Sequence, residues 1–133
     1  MLGIDYGTKR VGVAIGDSDA KTAVPFCVVN SSPRTRTSSV LGRQSSVHSI
    51  VEIVKKEQIE LVVMGQGGKG PMEKKVQEFA KQLRKFVPVE IADEHFTTAQ
   101  VERAMKGYGK ARKGVDTDSA AAGLILQSWL DSR

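Results

Sequence analysis

The stretch GIDYGTKRVGVAIGD, residues 3–17, decides how this chain begins to fold. It divides at Gly7-Thr8-Lys9 into two short β-type runs, residues 1–6 and 10–16. In the second run Val11, Val13 and Ile15 alternate with Gly12, Ala14 and Gly16, so the branched side chains point one way. Two such runs joined by a tight glycine-containing link read as an antiparallel hairpin. Asp5 stands near the end of the first run, just before the turn. Gly7 permits a turn tight enough for Thr8 and Lys9 to approach a phosphate while Asp5 holds a metal ion. The same residues also suit a plain hairpin turn with a solvated Lys9-Arg10 pair.

Outward from the hairpin, residues 22–30 form a third β-type run, which Pro25 marks as a strand start or an edge, since proline cannot donate to a ladder. Residues 31–46 lack periodicity, are rich in Ser, Thr and Arg, and read as a basic loop. Val47, Ile50, Val51 and Val54 follow helical spacing, with Ser45 or Ser46 as N-cap. Residues 59–64 make the next β run. It is continuously apolar from Leu61 and closes on Gly65, the pattern of a strand buried on both faces. After the glycine-rich turn QGGKGP (66–71), Met72, Val76, Phe79, Ala80 and Leu83 mark a helix, and its other face carries Lys74, Lys75, Lys81 and Arg84. Residues 87–92 are a fifth strand. Thr97-Thr98-Ala99-Gln100 has capping-box spacing for a short helix to about residue 105. A basic loop, GYGKARKG (107–114), precedes a last helix from about 118 to 131, with small residues at 120–123. The order β-β-β-α-β-α-β-α-α implies an α/β domain: a mixed five-stranded sheet, antiparallel at its start and parallel after, with helices on both faces.

The chain has 133 residues, 40% of them hydrophobic, which suits one core and one domain over 1–133. Lys plus Arg number 20 against 15 for Asp plus Glu; a net charge of +5 favours a polyanionic partner. Cys27 is the only cysteine, which excludes an internal disulfide or a multi-cysteine zinc site; it reads as a small core residue. No apolar stretch approaches the roughly 20 residues that span a bilayer, and the N-terminus lacks a signal-peptide pattern. A cytoplasmic protein with no membrane association is expected.

The acids fall at element boundaries, where a side chain can leave the core and enter a cleft. Asp5 ends the first strand, Asp93 and Glu94 end the fifth, and Asp116 and Asp118 open the last helix. Mg²⁺ and Mn²⁺ take oxygen ligands, and two such ions about 4 Å apart stabilise both the attacking and the leaving oxygen of a phosphoryl transfer. Each acid also has a structural use. Asp5 suits a turn, Asp93 and Glu94 suit the surface, and Asp116 and Asp118 suit an N-cap.

Taken together, three segments resemble the YqgF/RuvX family, called Holliday-junction-resolvase-like proteins or pre-16S rRNA nucleases. These are GIDYGTKRVGVAIGD (3–17), ADEHFTTAQ (92–100) and VDTDSAAAGLILQSWLD (115–131), in matching order and spacing over nearly the whole chain. The resemblance implies an RNase H-like fold and a nuclease site using Mg²⁺ or Mn²⁺. Carried over by position, it implies Asp5 as the first acid, Glu94 or its neighbour Asp93 as the second, and Asp118 as the last. Asp118 is reached by counting back from Gln127, and Asp116 is then a cap or auxiliary charge. Thr8, Lys9, Arg10, His95, Lys110, Arg112 and Lys113 would bind backbone phosphates, contacts that position a substrate but read no sequence. The chain departs from the family pattern at His95, where arginine is usual, and in the 66–70 loop.

The resemblance implies a nucleic-acid partner, either the 5′ flank of precursor 16S rRNA or a branched four-way DNA, bound by a monomer or a homodimer; junction cleavage requires the dimer. Two other classes compete. Actin-like kinases and ATPases share an Asp-x-Gly-Thr opening, but they close two such domains over ATP, and 133 residues supply one. A binding module with the same fold and no catalysis is the other.

Overall fold

In a computed structural model, which describes residues 1–7, 10–30, 46–66, 71–92, 100, 103 and 117–132, the opening stretch forms the expected hairpin. Strands β1 (Leu2–Tyr6) and β2 (Arg10–Asp17) pair antiparallel, with Leu2 opposite Ile15, Ile4 opposite Val13 and Asp5 opposite Gly12. β3 (Thr22–Asn30) continues the meander antiparallel to β2, with an irregularity where Val13 gives way to Ala14. Two later strands, β4 (Val62–Gly65) and β5 (Val89–Ala92), add in parallel on the other side of β1. The sheet order is β3-β2-β1-β4-β5, so Pro25 lies on an edge strand as its chemistry requires.

Period-two alternation sends the strand side chains to two different cores. Leu2, Ile4, Val11, Val13, Val62, Met64 and Val89 meet Ile50, Val51 and Val54 of α1 (Ser46–Lys56) and Val76, Phe79, Ala80 and Leu83 of α2 (Pro71–Leu83). The Tyr6 ring lies 4.8 Å from that of Phe79, tilted by 44°, and holds the carboxyl end of β1 against α2. On the opposite face Ala23 and Val63 meet Ile125, Leu126 and Leu130 of the last described helix, α3 (Thr117–Asp131). Under α3 that face of the hairpin carries Gly3, Gly12, Ala14 and Gly16, and α3 brings buried Ala120, Ala121 and Ala122. Small residues on both sides let the helix approach very closely. A Cβ on Gly3 would lie 2.7 Å from Leu126 Cβ and 2.8 Å from the Ala122 carbonyl oxygen.

Two strand boundaries differ from the sequence reading. The apolar residues at 59–61 precede β4: Ile59 donates its N–H to the Val54 carbonyl at 2.9 Å, and Gln58 takes a left-handed φ of 55°. Those are the marks of a Schellman cap ending α1, with Ile59 folded back on Val54 in the first core. Val87 likewise belongs to the exit of α2, since its N–H donates to the Leu83 carbonyl at 3.1 Å. Ser46 is the first residue of α1 rather than its cap, and Ser45 lies outside the described residues. Of the loops read at 31–46 and 66–71, Ser46 and Pro71 begin helices and residues 31–45 and 67–70 lie outside the described residues; so do the loop read at 107–114 and the short helix read from 97 to 105, save that Gln100 and Arg103 are helical. Cys27 is half-buried against the first core, and burial pushes its thiol pKa up. Among the described residues no helix is long and apolar enough to cross a membrane.

Candidate functional site

β1, β4 and β5 run parallel, so their carboxyl ends share one end of the sheet, the end where open α/β sheets bind ligands. Asp5 sits there, the fourth residue of β1 and half-buried. It has the strand parity of Gly3, whose face α3 covers, so its side chain leaves the sheet on the α3 side. Its cross-strand partner Gly12 determines what else arrives. A Cβ on Gly12 would lie 1.9 Å from the Asp118 carbonyl oxygen and 2.9 Å from the Ser119 nitrogen. Only a residue without a side chain lets the first turn of α3 rest on the strand. Gly12 thereby seats Asp118 beside the strand pair that carries Asp5, although the two acids are far apart in the chain.

Arg10 completes the group. It is two residues before Gly12 in β2 and so shares its face, and its Nε donates to Asp118 Oδ2 at 2.7 Å. The Arg10 side chain is 59% exposed and that of Asp118 30%. Asp118 lies in the first turn of α3, where the unpaired N–H groups of the helix favour a negative charge. At the same end of the sheet Gly65 ends β4 and Ala92 ends β5, and the Gln66 N–H donates to the Ala92 carbonyl at 3.1 Å. Gln66 Nε2 also donates to Glu73 Oε1 at 3.2 Å, tying the exit of β4 to the first turn of α2.

Of the residues expected at the site, the structure pairs Arg10 with Asp118 and rests the Asp118 backbone on Gly12, the cross-strand partner of Asp5. Asp93, Glu94 and His95 follow directly after Ala92 in the chain but lie outside the described residues. So do Thr8, Lys9, Asp116 and the basic residues Lys110, Arg112 and Lys113. Among the described residues no group of three His, Cys, Asp or Glu side chains converges. Two aspartates at this end of the sheet are a donor type that fits a hard divalent cation; Mg²⁺ commonly uses one or two carboxylates and completes its shell with water and substrate phosphate. Sequence reasoning overlooked Gly12 here, and it missed the pairing of Arg10. Gly12 is the seat of Asp118, and Arg10, read as a phosphate ligand, pairs with an acid of the site. The small residues facing away from Val11, Val13 and Ile15 were the available sign that a helix backbone would pack there.

Comparison with known proteins bears on the family and the fold. The family model described as "RuvX: Holliday junction resolvase" matches residues 1–132. A Caldanaerobacter subterraneus protein named "Putative pre-16S rRNA nuclease" is 38% identical over 145 residues, covering 100% of this chain and 96% of the relative. A Chloroflexus aurantiacus protein of the same name is 34% identical over 142 residues, covering 100% and 87%. Among solved structures, T. thermophilus RuvC in complex with a Holliday junction substrate aligns with a TM-score of 0.56 at 20% identity, covering 100% of this chain and 95% of that one. The Fowlpox virus resolvase bound to Holliday junction DNA aligns at 0.58 with 12% identity, covering 98% and 96%. Those two likenesses speak to the fold, which is that of RNase H-like resolvases. With a family match along essentially its whole length and relatives above 30% identity, the chain belongs to the RuvX family.

Proposed function

We propose that this protein is a divalent-metal-dependent nuclease that hydrolyses phosphodiester bonds in precursor 16S rRNA. The observation that carries the reading is the seating of the Asp118 backbone on Gly12, the cross-strand partner of Asp5, at the end of the sheet where such folds bind ligands. The names of the relatives at 34% and 38% identity support the substrate. Asp5, Asp118 and Glu94 would hold Mg²⁺ or Mn²⁺. Glu94 is preferred to its neighbour Asp93 on the resemblance of the segment 92–100 to the family pattern. A divalent ion held there would supply the charge that activates water and neutralises the leaving oxygen. Thr8, Lys9, His95, Lys110, Arg112 and Lys113 would hold backbone phosphates, aided by the net charge of +5. A lone half-buried thiol suits the reducing cytoplasm where such a precursor is made.

A second reading, cleavage of four-way DNA junctions, draws on the description of the family model. It needs two sites related by symmetry, hence a homodimer, whereas a monomer suffices for RNA. One assay separates the two. Labelled precursor-like RNA and a four-way junction are incubated with Mg²⁺, Mn²⁺ or EDTA, using wild type, Asp5→Asn and Asp118→Asn. The expected result is metal-dependent cutting of the RNA, reduced more than about 100-fold in both variants, beyond what loss of a supporting residue costs. Cutting of the junction alone would transfer the reading to DNA. Binding without cutting under any metal would leave a non-catalytic module.

A further inference from the structure

We infer that Arg10 is an exchangeable counter-ion that couples metal binding to nucleic-acid binding: it covers Asp118 until a backbone phosphate draws it away. The inference rests on the metal-site reading of Asp5 and Asp118 and adds an order of assembly to it.

The Arg10–Asp118 contact has the length of a charge-assisted hydrogen bond, 2.7 Å, and it engages a carboxylate oxygen, Oδ2, of the kind a divalent cation needs. A guanidinium and a divalent ion cannot share that oxygen at contact distance without repelling each other. While Arg10 stays in place, it opposes metal binding at Asp118. Its hold is nevertheless weak, because the side chain is 59% exposed and that of its partner 30%, and exposed ion pairs add little to stability. The bond uses Nε rather than the two terminal nitrogens, and it is a guanidinium fork that grips phosphate in a bidentate way. Arg10 also opens β2 and follows in sequence Thr8 and Lys9, proposed above to hold phosphate, so one long side chain is placed to exchange one anion for the other.

Two consequences follow. Nucleic acid, by taking Arg10, releases Asp118 and tightens metal binding; by reciprocity, metal tightens nucleic-acid binding by the same factor. Free protein in the cell then carries little metal at Asp118 and loads it with the substrate. A fixed positioning role predicts the opposite sign, since an Arg10 that merely orients the Asp118 carboxylate would help metal to bind.

The test is direct Mn²⁺ binding by electron paramagnetic resonance to the full chain, alone and with a saturating phosphorothioate RNA that resists cleavage. Wild type, Arg10→Gln and Asp118→Asn are compared. We expect wild-type Mn²⁺ affinity to rise about 10-fold when RNA is added, within the usual range for coupled sites. In Arg10→Gln, affinity without RNA should already be several-fold above wild type, and the gain from RNA should vanish. Weaker Mn²⁺ binding in Arg10→Gln would overturn the proposal and make Arg10 a positioning residue. Retention of the full RNA-induced gain in that variant would overturn it as well. Mn²⁺ binding that Asp118→Asn leaves unchanged in either background would overturn the metal assignment itself, a different failure with a different signature.

Discussion

At its amino end α3 meets the sheet through Asp118, whose backbone lies on Gly12 and whose carboxylate takes a bond from Arg10. At its carboxyl end it meets the sheet through Gln127, whose Oε1 accepts from the Ala23 N–H at 3.0 Å. The Gln127 Nε2 donates to the Lys21 carbonyl at 2.8 Å and to Asp131 Oδ1 at 2.9 Å. Both ends tie the helix to the β2–β3 part of the sheet, but by different chemistry. The Gln127 amide satisfies backbone groups that no other ligand would claim, and it holds the carbonyl of Lys21, a residue kept at a left-handed φ of 54°. The Asp118 end uses two full charges at partly exposed positions, each able to take another partner. A neutral amide bonded to backbone makes a fixed anchor; an exposed ion pair makes one that can be exchanged. The difference separates the end that secures the helix from the end proposed to do the chemistry.

The largest effect is expected where the functional end depends on packing. In Gly12→Ala the new Cβ would fall 1.9 Å from the Asp118 carbonyl oxygen, backbone that cannot turn aside. The first turn of α3 must lift, at a cost of about 3 kcal/mol, the upper part of the usual range for overpacking. Urea unfolding monitored by circular dichroism measures this. Asp118-dependent Mn²⁺ binding should fall in the fraction that remains folded, because lifting the turn carries Asp118 away from Asp5. A loss below about 1 kcal/mol would mean that this end of α3 is only lightly seated.

How much of this was legible follows from which signals are local. The β1–β2 hairpin was, because Val11, Val13 and Ile15 alternate and Gly7 marks the turn. α1 and α2 were, because their apolar residues repeat at helical spacing, and β4 was, as an unalternated apolar run. The boundaries at Ile59 and Val87 were not: an apolar residue that caps a helix by folding back on it has the same character as one that opens a strand. At the site, Asp5 and Asp118 were each legible as acids at element ends. The seating of Asp118 on the cross-strand partner of Asp5 was not, since it depends on Gly12 having no side chain, a fact about the space between two elements. The pairing of Arg10 was hidden for the same reason. Beside a turn it looked like a solvated or phosphate-binding cation, and its partner lies 108 residues away.

The neutral anchor is expected to show a smaller effect. Gln127→Ala removes the bonds to the Ala23 N–H and the Lys21 carbonyl, each worth about 1 kcal/mol, while alanine returns a few tenths through helix propensity. A net loss of about 1–2 kcal/mol in the same urea titration is expected, with the charged end unaffected. Gln127→Glu sharpens the point. It keeps an acceptor for Ala23 but turns the donor facing Lys21 and Asp131 into an acceptor beside a carbonyl and a carboxylate, so it should cost more than alanine does.

The smallest effect on stability should come from the pair that looks strongest on distance alone. Arg10→Gln removes a 2.7 Å ion pair, yet with one partner 59% exposed the change should stay below about 0.5 kcal/mol. Much of the Coulomb attraction is screened by water, and the long arginine side chain regains its freedom when the bond is lost. The same titration that registers Gln127→Ala should therefore barely register Arg10→Gln. A loss above about 1.5 kcal/mol would place Arg10 beside Gln127 as a fixed anchor and remove the basis for exchange, because a pair that contributes so much to folding would not be surrendered to a passing phosphate. A near-zero loss together with altered Mn²⁺ binding would separate the two ends of α3 by their energetics, as their chemistry already does.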